Sequence, residues 1–173
     1  RLGEENAGWT VAKSLLEFER GGGSAPGLQV ALRKIRAMGE AEAGGDGEAL
    51  IGDPHFRRRL AEAEIAVSAI DISERRVLSA LAGGANPGAL SSMLKTQGAE
   101  ALQRADALAL EAAGLYARPL QPAARQPGSN VAPVGPEHSL TATARYLNDR
   151  AASIYGGSNE IQRDIIARLV LGL

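Results

Sequence analysis

The 173-residue sequence contains no cysteine, and aromatic residues make up only 3% of it. Disulfides and thiolate metal sites are therefore excluded. The charges nearly cancel, at a formal net charge of −1, so no general attraction to nucleic acid or membrane surfaces is expected. No apolar run approaches the roughly 20 residues that span a bilayer, and no segment resembles a secretory signal. We expect a cytoplasmic protein and, since Met is missing at position 1, a piece of a longer or processed chain.

The residues that are present favour helices. Hydrophobic residues form 45% of the chain, which is enough for one domain with its own core. Ala, Leu, Glu and Arg are frequent and are good helix formers, whereas alternating β-branched runs are absent. The sequence predicts an all-α fold, an antiparallel bundle of about five helices occupying residues 1–173 as a single domain.

Glycine, proline and capping residues predict where the helices begin and end. The predicted spans are about 6–43 (with a break at the GGGSAPG of 21–27), 53–81, 86–116, 137–155 and 158–171. Asp53 is the expected N-cap of the second helix, with Pro54 at its first position, and Gly83 and Gly84 end it. Its predicted apolar face consists of Leu60, Ala63, Ile65, Val67, Ile70, Val77, Leu78 and Leu81.

Residues 118–136 differ from the rest, with five prolines in 19 residues. Proline interrupts helical hydrogen bonding, so this segment is either a disordered loop or an ordered crossover over the bundle. Few other motifs stand out. His55 and His138 have no partner at helical spacing, so a metal site is not expected. The three consecutive arginines Arg57–Arg59 are interpreted as charges exposed to solvent, and contacts with a phosphate group are the alternative.

The stretch SIYGGSNEIQRDII, residues 153–166, stops one helix and starts another within three residues. Gly156 and Gly157 allow positive φ and a sharp turn. Ser158 is a predicted N-cap, and Glu160 places negative charge in the first turn, where the helix dipole favours it. A plain helix–turn–helix and a polar ligand site at the helix start both fit this pattern.

The last 20 residues, IYGGSNEIQRDIIARLVLGL, closely resemble the C-terminal signature of the acyl-CoA dehydrogenase family. The opening NAGWTVAKSLLEFERGG is similar to the first helix of that family's C-terminal domain. The segments DPHFRRRLAEAEI, SSMLKTQGAEALQ and RYLNDRAASIYGG resemble the bacterial pimeloyl-CoA dehydrogenase-like branch. The resemblance spans the whole chain, and it implies the last 40% or so of an FAD-dependent enzyme whose N-terminal helical and middle β domains are missing.

The family's reaction needs a base for the proton α to a thioester carbonyl and a flavin that accepts the β hydride. Many members carry a catalytic Glu after the Tyr of the terminal motif, where this chain has Gly156. Other members place the base in a Glu-Arg pair on the first helix, which matches Glu19 and Arg20. The resemblance therefore implies Glu19 as base and Arg20 as substrate contact, with Glu17 a poorer candidate. Without the resemblance, Glu19 is an ordinary solvated carboxylate.

The resemblance also implies cofactor contacts and partners. Ser158 and Glu160 match positions that contact FAD, although Glu160 replaces an amide and cannot donate to a pyrophosphate oxygen. The family's Arg-x-x-Phe-Gly segment and its glycine-rich loop have no counterpart here. The implied partners are an acyl-CoA substrate, an electron-transfer flavoprotein and further subunits in a homo- or hetero-oligomer. The alternative is a helical assembly subunit without chemistry of its own.

Overall fold

The computed structural model describes residues 2–19, 23–86 and 88–173, with only the backbone of residues 17–19. Its main elements are six α-helices: α1 (Gly8–Glu19), α2 (Ser24–Ala41), α3 (Pro54–Ala82), α4 (Ala89–Ala113), α5 (Ala142–Asn148) and α6 (Asn159–Ile166). In this part of the chain the β pairing is limited to one antiparallel bridge between Ala43 and Ala49. None of the helices described is long and apolar enough to cross a membrane.

Helices α2, α3 and α4 pack against one another, and α5 and α6 pack on α4. The core between the first three contains Leu28 and Ile35 of α2, Phe56 and Leu60 of α3, and Leu108 of α4, all at most 3% exposed. Helix α4 also buries a series of alanines, whose small side chains let its neighbours approach closely. The predicted all-α bundle is confirmed, with α4 as its central element.

The predicted ends of α3 are confirmed. The Asp53 side chain accepts hydrogen bonds from the backbone N–H groups of His55 and Phe56, at 2.7 and 2.9 Å. Pro54 is the first helical residue, and Gly83 follows the last. The predicted apolar face was partly wrong, because Ile65 and Leu78 are 70% and 59% exposed.

The long first helix is divided, as the glycines predicted. Helix α1 ends at Glu19 and α2 begins at Ser24, after Gly23 with φ of 95°. Residues 20–22 lie outside the described part of the chain. Helix α2 therefore starts inside the GGGSAPG segment, and Pro26 is accommodated in its first turn, where no intrahelical N–H donor is required.

The prediction of one helix over residues 137–155 was wrong. The segment contains a short 3₁₀ turn (Glu137–Ser139), α5, and a second 3₁₀ turn (Asp149–Ser153). A physical reason lies in α4: the Gln103 amide Nε2 donates to the carbonyl oxygens of Asp149 and Arg150, at 3.1 and 3.2 Å. These bonds draw two carbonyl groups toward α4, and tighter 3₁₀ bonding follows the end of α5.

The proline-rich segment is an ordered crossover, which was one of the two predicted possibilities. It carries no α-helix after the 3₁₀ turn Gly114–Ala117. The Gln121 side chain holds its far end, since Oε1 accepts from Val134 N at 2.7 Å and Nε2 donates to Val134 O at 3.2 Å. The last helix is confirmed from Asn159 to Ile166 and continues as a π-helical turn, Ala167–Leu171.

Candidate functional site

The turn between the 3₁₀ segment and α6 has the geometry that its glycines predicted. Gly156 and Gly157 have φ of 67° and 89°, which L side chains rarely adopt. Ser158 is the N-cap of α6, and its Oγ accepts from the backbone N–H of Ile161 at 3.4 Å.

A side chain of α6 itself holds this turn from inside. Gln162 is completely buried, and its Nε2 donates to the carbonyl oxygens of Gly156 and Gly157, at 3.1 and 3.3 Å. The Gln162 Oε1 has no hydrogen-bond partner among the described residues. Sequence reasoning missed this residue, although its place four positions after the Ser158 cap, beside buried Asn159, signals an inward-facing amide.

Glu160 lies in the first turn of α6 and is exposed. Its own backbone N–H, then the Ser158 hydroxyl, and more weakly the charges of Arg163 and Lys95 hold the pKa of Glu160 below its usual range. The carboxylate is therefore ionised at neutral pH, so it accepts hydrogen bonds, for instance from a ribose hydroxyl, and does not donate.

Helix α4 supplies a cation beside the turn. Lys95 Nζ donates to Asn159 Oδ1 at 3.1 Å, and a Cβ atom added at Gly156 would lie 4.0 Å from Lys95 Cε. Gly98, one turn further along α4, contacts the start of α2, because a Cβ there would lie 2.8 Å from Ser24 Oγ. Positions 95 and 98 share a helix face, so the start of α2 and the Gly156–Gly157 turn lie against the same face of α4.

The start of α2 is held by a buried carboxylate. Glu74 of α3 is 5% exposed, and it accepts hydrogen bonds from the backbone N–H groups of Ser24, at 2.8 Å, and Ala25, at 3.3 Å. It therefore caps α2 from a neighbouring helix and fixes the backbone that follows the α1–α2 break. A signal was present in the sequence: Glu74 occupies the core-facing stripe that Ile70 and Val77 define.

The predicted base and substrate contact fall at the edge of what the structure describes. Glu19 is the last residue of α1, and its side chain is outside the described part, as is the whole of Arg20. In the sequence the two positions lie five and four residues before Ser24, whose backbone N–H donates to Glu74. The role of each therefore stays a prediction.

A separate cleft of about 610 Å³ opens between α2, α4 and the start of α5. Neither Ser158 nor Glu160 lines it, while buried Asp106 does. The pKa of Asp106 is raised to about 6, mainly by burial and further by the charge of Asp149 and a hydrogen bond to Asp149. The charges of Arg145 and Arg150 act in the opposite direction and lower this pKa. Asp106 Oδ2 has no hydrogen-bond partner among the described residues.

Among the other candidate residues, Arg58, Arg59 and His138 each lie beside a carboxylate. Arg59 pairs with Glu111 across α3 and α4, and Arg58 lies 3.8 Å from Glu62 on the exposed face of α3. His138 Nε2 lies 2.8 Å from Glu42 Oε1. In the part of the chain that the structure describes, no three His, Asp or Glu side chains are grouped as metal ligands.

Comparison with known proteins matches nearly the whole chain. Residues 6–171 match the family described as acyl-CoA dehydrogenase, C-terminal domain. The chain is 32% identical over 175 residues to acyl-CoA dehydrogenase IpdE1 of Mycobacterium tuberculosis (strain ATCC 25618 / H37Rv), covering 99% of this chain and 40% of that protein. It is 29% identical over 180 residues to acyl-CoA dehydrogenase FadE26 of the same organism, covering 100% and 42%. The chain thus spans about two-fifths of these relatives.

Solved structures give the same picture of the fold. The ChsE4–ChsE5 complex from Mycobacterium tuberculosis contains a similar chain, with a TM-score of 0.75, 27% identity, and coverage of 99% of this chain and 42% of that one. PigA with FAD and proline has a TM-score of 0.77 at 22% identity, covering 100% and 41%. At that identity the second likeness concerns the fold alone.

Proposed function

We propose that this chain, which belongs to the acyl-CoA dehydrogenase C-terminal domain family, is the last part of an enzyme that dehydrogenates acyl-CoA thioesters. The observation that carries the proposal is the match over residues 6–171. Support comes from α4, one face of which contacts both the start of α2 and the Gly156–Gly157 turn, because the family resemblance puts the base shortly before the first and flavin contacts directly after the second.

The chemistry divides between chain and cofactor. FAD would accept the β hydrogen with its electron pair and pass the electrons on to an electron-transfer flavoprotein. The carboxylate of Glu19 would take the α proton, so that the electrons of the broken C–H bond form the new double bond. Arg20, beside the base, would hold the substrate.

The residues present fit one edge of an FAD site. The Ser158 hydroxyl is half-buried at the N-terminus of α6, a place that suits polar and anionic groups. The ionised Glu160 carboxylate suits a ribose hydroxyl and does not suit a pyrophosphate oxygen. Most of the cofactor contacts would therefore come from protein outside these 173 residues.

The setting would be an oligomer in the cytoplasm. The similar chain from Mycobacterium tuberculosis belongs to a complex of ChsE4 with ChsE5, which supports a hetero-oligomer, and a homo-oligomer is the alternative. A second candidate function, a non-catalytic assembly chain in such a complex, is favoured by one observation: position 156, where many family members carry their base, is glycine.

The test uses the full-length protein that contains this chain, purified with any partner chain. The proposal expects bound FAD and bleaching of the flavin when an acyl-CoA is added without oxygen. Protein that contains FAD but is reduced only through a partner's active site would support the assembly function. Protein without flavin would contradict the dehydrogenase function.

A further inference from the structure

We propose that Gln162 is a positioning residue, which fixes the Gly156–Gly157 turn and through it the Ser158 end of α6. The consequence for flavin binding rests on the proposed function, whereas the role in the turn does not. Neither the family resemblance nor the predicted site residues assigned any role to this position.

The geometry of the amide carries the inference. The Gln162 Nε2 group donates both of its N–H bonds to successive carbonyl oxygens, those of Gly156 and Gly157, at 3.1 and 3.3 Å. Two consecutive glycines have more backbone freedom than any other pair, so an unconstrained Gly-Gly turn would sample many conformations. One buried amide that binds both carbonyl groups restricts the backbone of Gly156 and Gly157, where this freedom is largest.

Two further hydrogen bonds link the turn to α6. The Gln162 backbone N–H donates to Ser158 O at 2.9 Å, and the Ser158 hydroxyl accepts from Ile161 N. Gln162 therefore contacts both sides of Ser158: its side chain holds the two residues before the cap, and its backbone holds the cap itself. A shift of this amide would move the Ser158 hydroxyl and the start of the helix together.

The other end of the amide distinguishes positioning from simple stabilisation. Gln162 Oε1 is buried and has no partner in the described part of the chain, and an unpaired buried acceptor is destabilising. An apolar side chain of similar length would remove that penalty together with the two hydrogen bonds. If position 162 contributed only to stability, an apolar side chain would serve about as well as the amide. Holding the turn requires the N–H donors of the amide, because they bind the two glycine carbonyls.

The first measurement is made on the 173-residue chain by ¹⁵N relaxation of the Gly156 and Gly157 amides. Wild type should have order parameters near the rigid value of about 0.85, and Gln162→Met should lower both toward about 0.6. The Tm of Gln162→Met should stay within about 4 °C of wild type, since the lost bonds and the removed orphan oxygen offset each other. Gln97→Met, at an exposed position of α4, is the matched control and should change neither quantity.

Gln162→Asn is the second variant, because it keeps the amide but withdraws it by one methylene. It should loosen the turn as Gln162→Met does. Unchanged order parameters in either variant would overturn the proposal. If neither variant folds, Gln162 is a core residue and the proposal is equally overturned.

The flavin arm uses the full-length protein. Gln162→Met should weaken FAD binding by roughly two- to tenfold, the effect of one hydrogen bond on an equilibrium constant, while Gln97→Met should leave it unchanged. A loosened turn with unchanged FAD affinity would overturn the link to the cofactor. If the wild-type protein holds no FAD at all, the proposed function fails, and the order parameters still decide the role of Gln162.

Discussion

Asp106 is the residue whose ionisation the fold resists most clearly. Its carboxyl is buried beside Asp149, and its pKa is raised to about 6. A carboxyl with a raised folded-state pKa binds its proton more tightly in the folded state than in the unfolded state. Its neutral form therefore stabilises the fold at low pH, and this contribution is lost as the pH rises from about 4, the unfolded value, to about 6.

The first prediction follows from that sign. Asp106→Asn stays neutral at every pH, so its free energy of unfolding should improve relative to wild type by about 1–2 kcal/mol between pH 4.5 and 7.5. Urea unfolding at both pH values measures this difference. Asp164→Asn, on the exposed face of α6, is the control for the loss of a carboxylate. A difference that does not change with pH would mean that Asp106 is not held neutral by the fold.

Gly156 gives the second prediction at the residue scale. Its φ of 67° strains any L side chain, so Gly156→Ala should destabilise the chain by roughly 1–2 kcal/mol. Gly45→Ala is the control, because that glycine has a negative φ and open space around it. Equal stability of the two variants in urea unfolding would show that the turn relaxes around a side chain.

A carboxylate at position 156 tests the alternative place for the base. Beyond the backbone strain there is room for it, since a Cβ there would meet only Lys95 Cε, at 4.0 Å. In the full-length protein, Glu19→Gln should slow the reduction of the flavin by substrate. Adding Gly156→Glu to that variant should restore part of the rate. A double variant no faster than Glu19→Gln alone would mean that this turn cannot present a base to the substrate.

Helix α2 depends on a cap from another element, and this gives the prediction at the element scale. Glu74→Leu would leave the part-buried N–H group of Ser24 and the buried N–H group of Ala25 without an acceptor, so it should lower the free energy of unfolding by roughly 2–3 kcal/mol. Glu74→Gln keeps one acceptor oxygen and should lose roughly 1 kcal/mol. Denaturant titration of both variants measures these values.

The control for Glu74 lies on the same helix. Glu62 is exposed and forms an i,i+4 pair with Arg58 at 3.8 Å, so Glu62→Leu should change stability little. A Glu74→Leu variant as stable as Glu62→Leu would contradict the interhelical cap. In that case the contact of Gly98 with Ser24 would be the better explanation for the position of the start of α2.

The elements also indicate how far sequence reasoning reaches. Capping and glycine signals are local, and they correctly predicted the Asp53 start of α3, the Ser158 cap of α6 and the break before α2. The division of residues 137–155 was missed because its cause, Gln103, lies more than 30 residues away on α4. The sequence places Glu74 and Gln162 on inward-facing positions, but the backbone groups that they bind lie on other segments, so their roles become visible only in the folded chain.

At the scale of the whole molecule, the chain leaves apolar side chains exposed near its last helix. Leu169, Val170 and Leu171 are each at least 63% exposed, and Ile154 and Tyr155 are 69% and 58% exposed. Exposed apolar surface of this kind is typical of association sites. In the proposed oligomer such a surface would face a neighbouring subunit or the missing domains.

We therefore expect the 173-residue chain to self-associate and to retain no stoichiometric flavin, since most of the cofactor contacts would lie in other domains. Light scattering over a concentration series and absorbance after desalting measure the two properties. Leu169→Gln with Leu171→Gln should shift the chain toward monomer, whereas Ile65→Gln, exposed on α3, is the control. A strictly monomeric wild type, or a yellow protein after desalting, would contradict this prediction.

We propose that this chain supplies the base of an acyl-CoA dehydrogenase, and stopped-flow flavin reduction in the full-length protein measures whether it does. Glu19→Gln keeps the size of the side chain but cannot accept the α proton, so acyl-CoA-dependent reduction should slow by roughly 10²–10⁴-fold, with flavin content close to normal. Glu17→Gln, two residues earlier on the helix, should change the rate little. Reduction of Glu19→Gln at the wild-type rate would contradict the claim and favour an assembly chain whose partner carries the base.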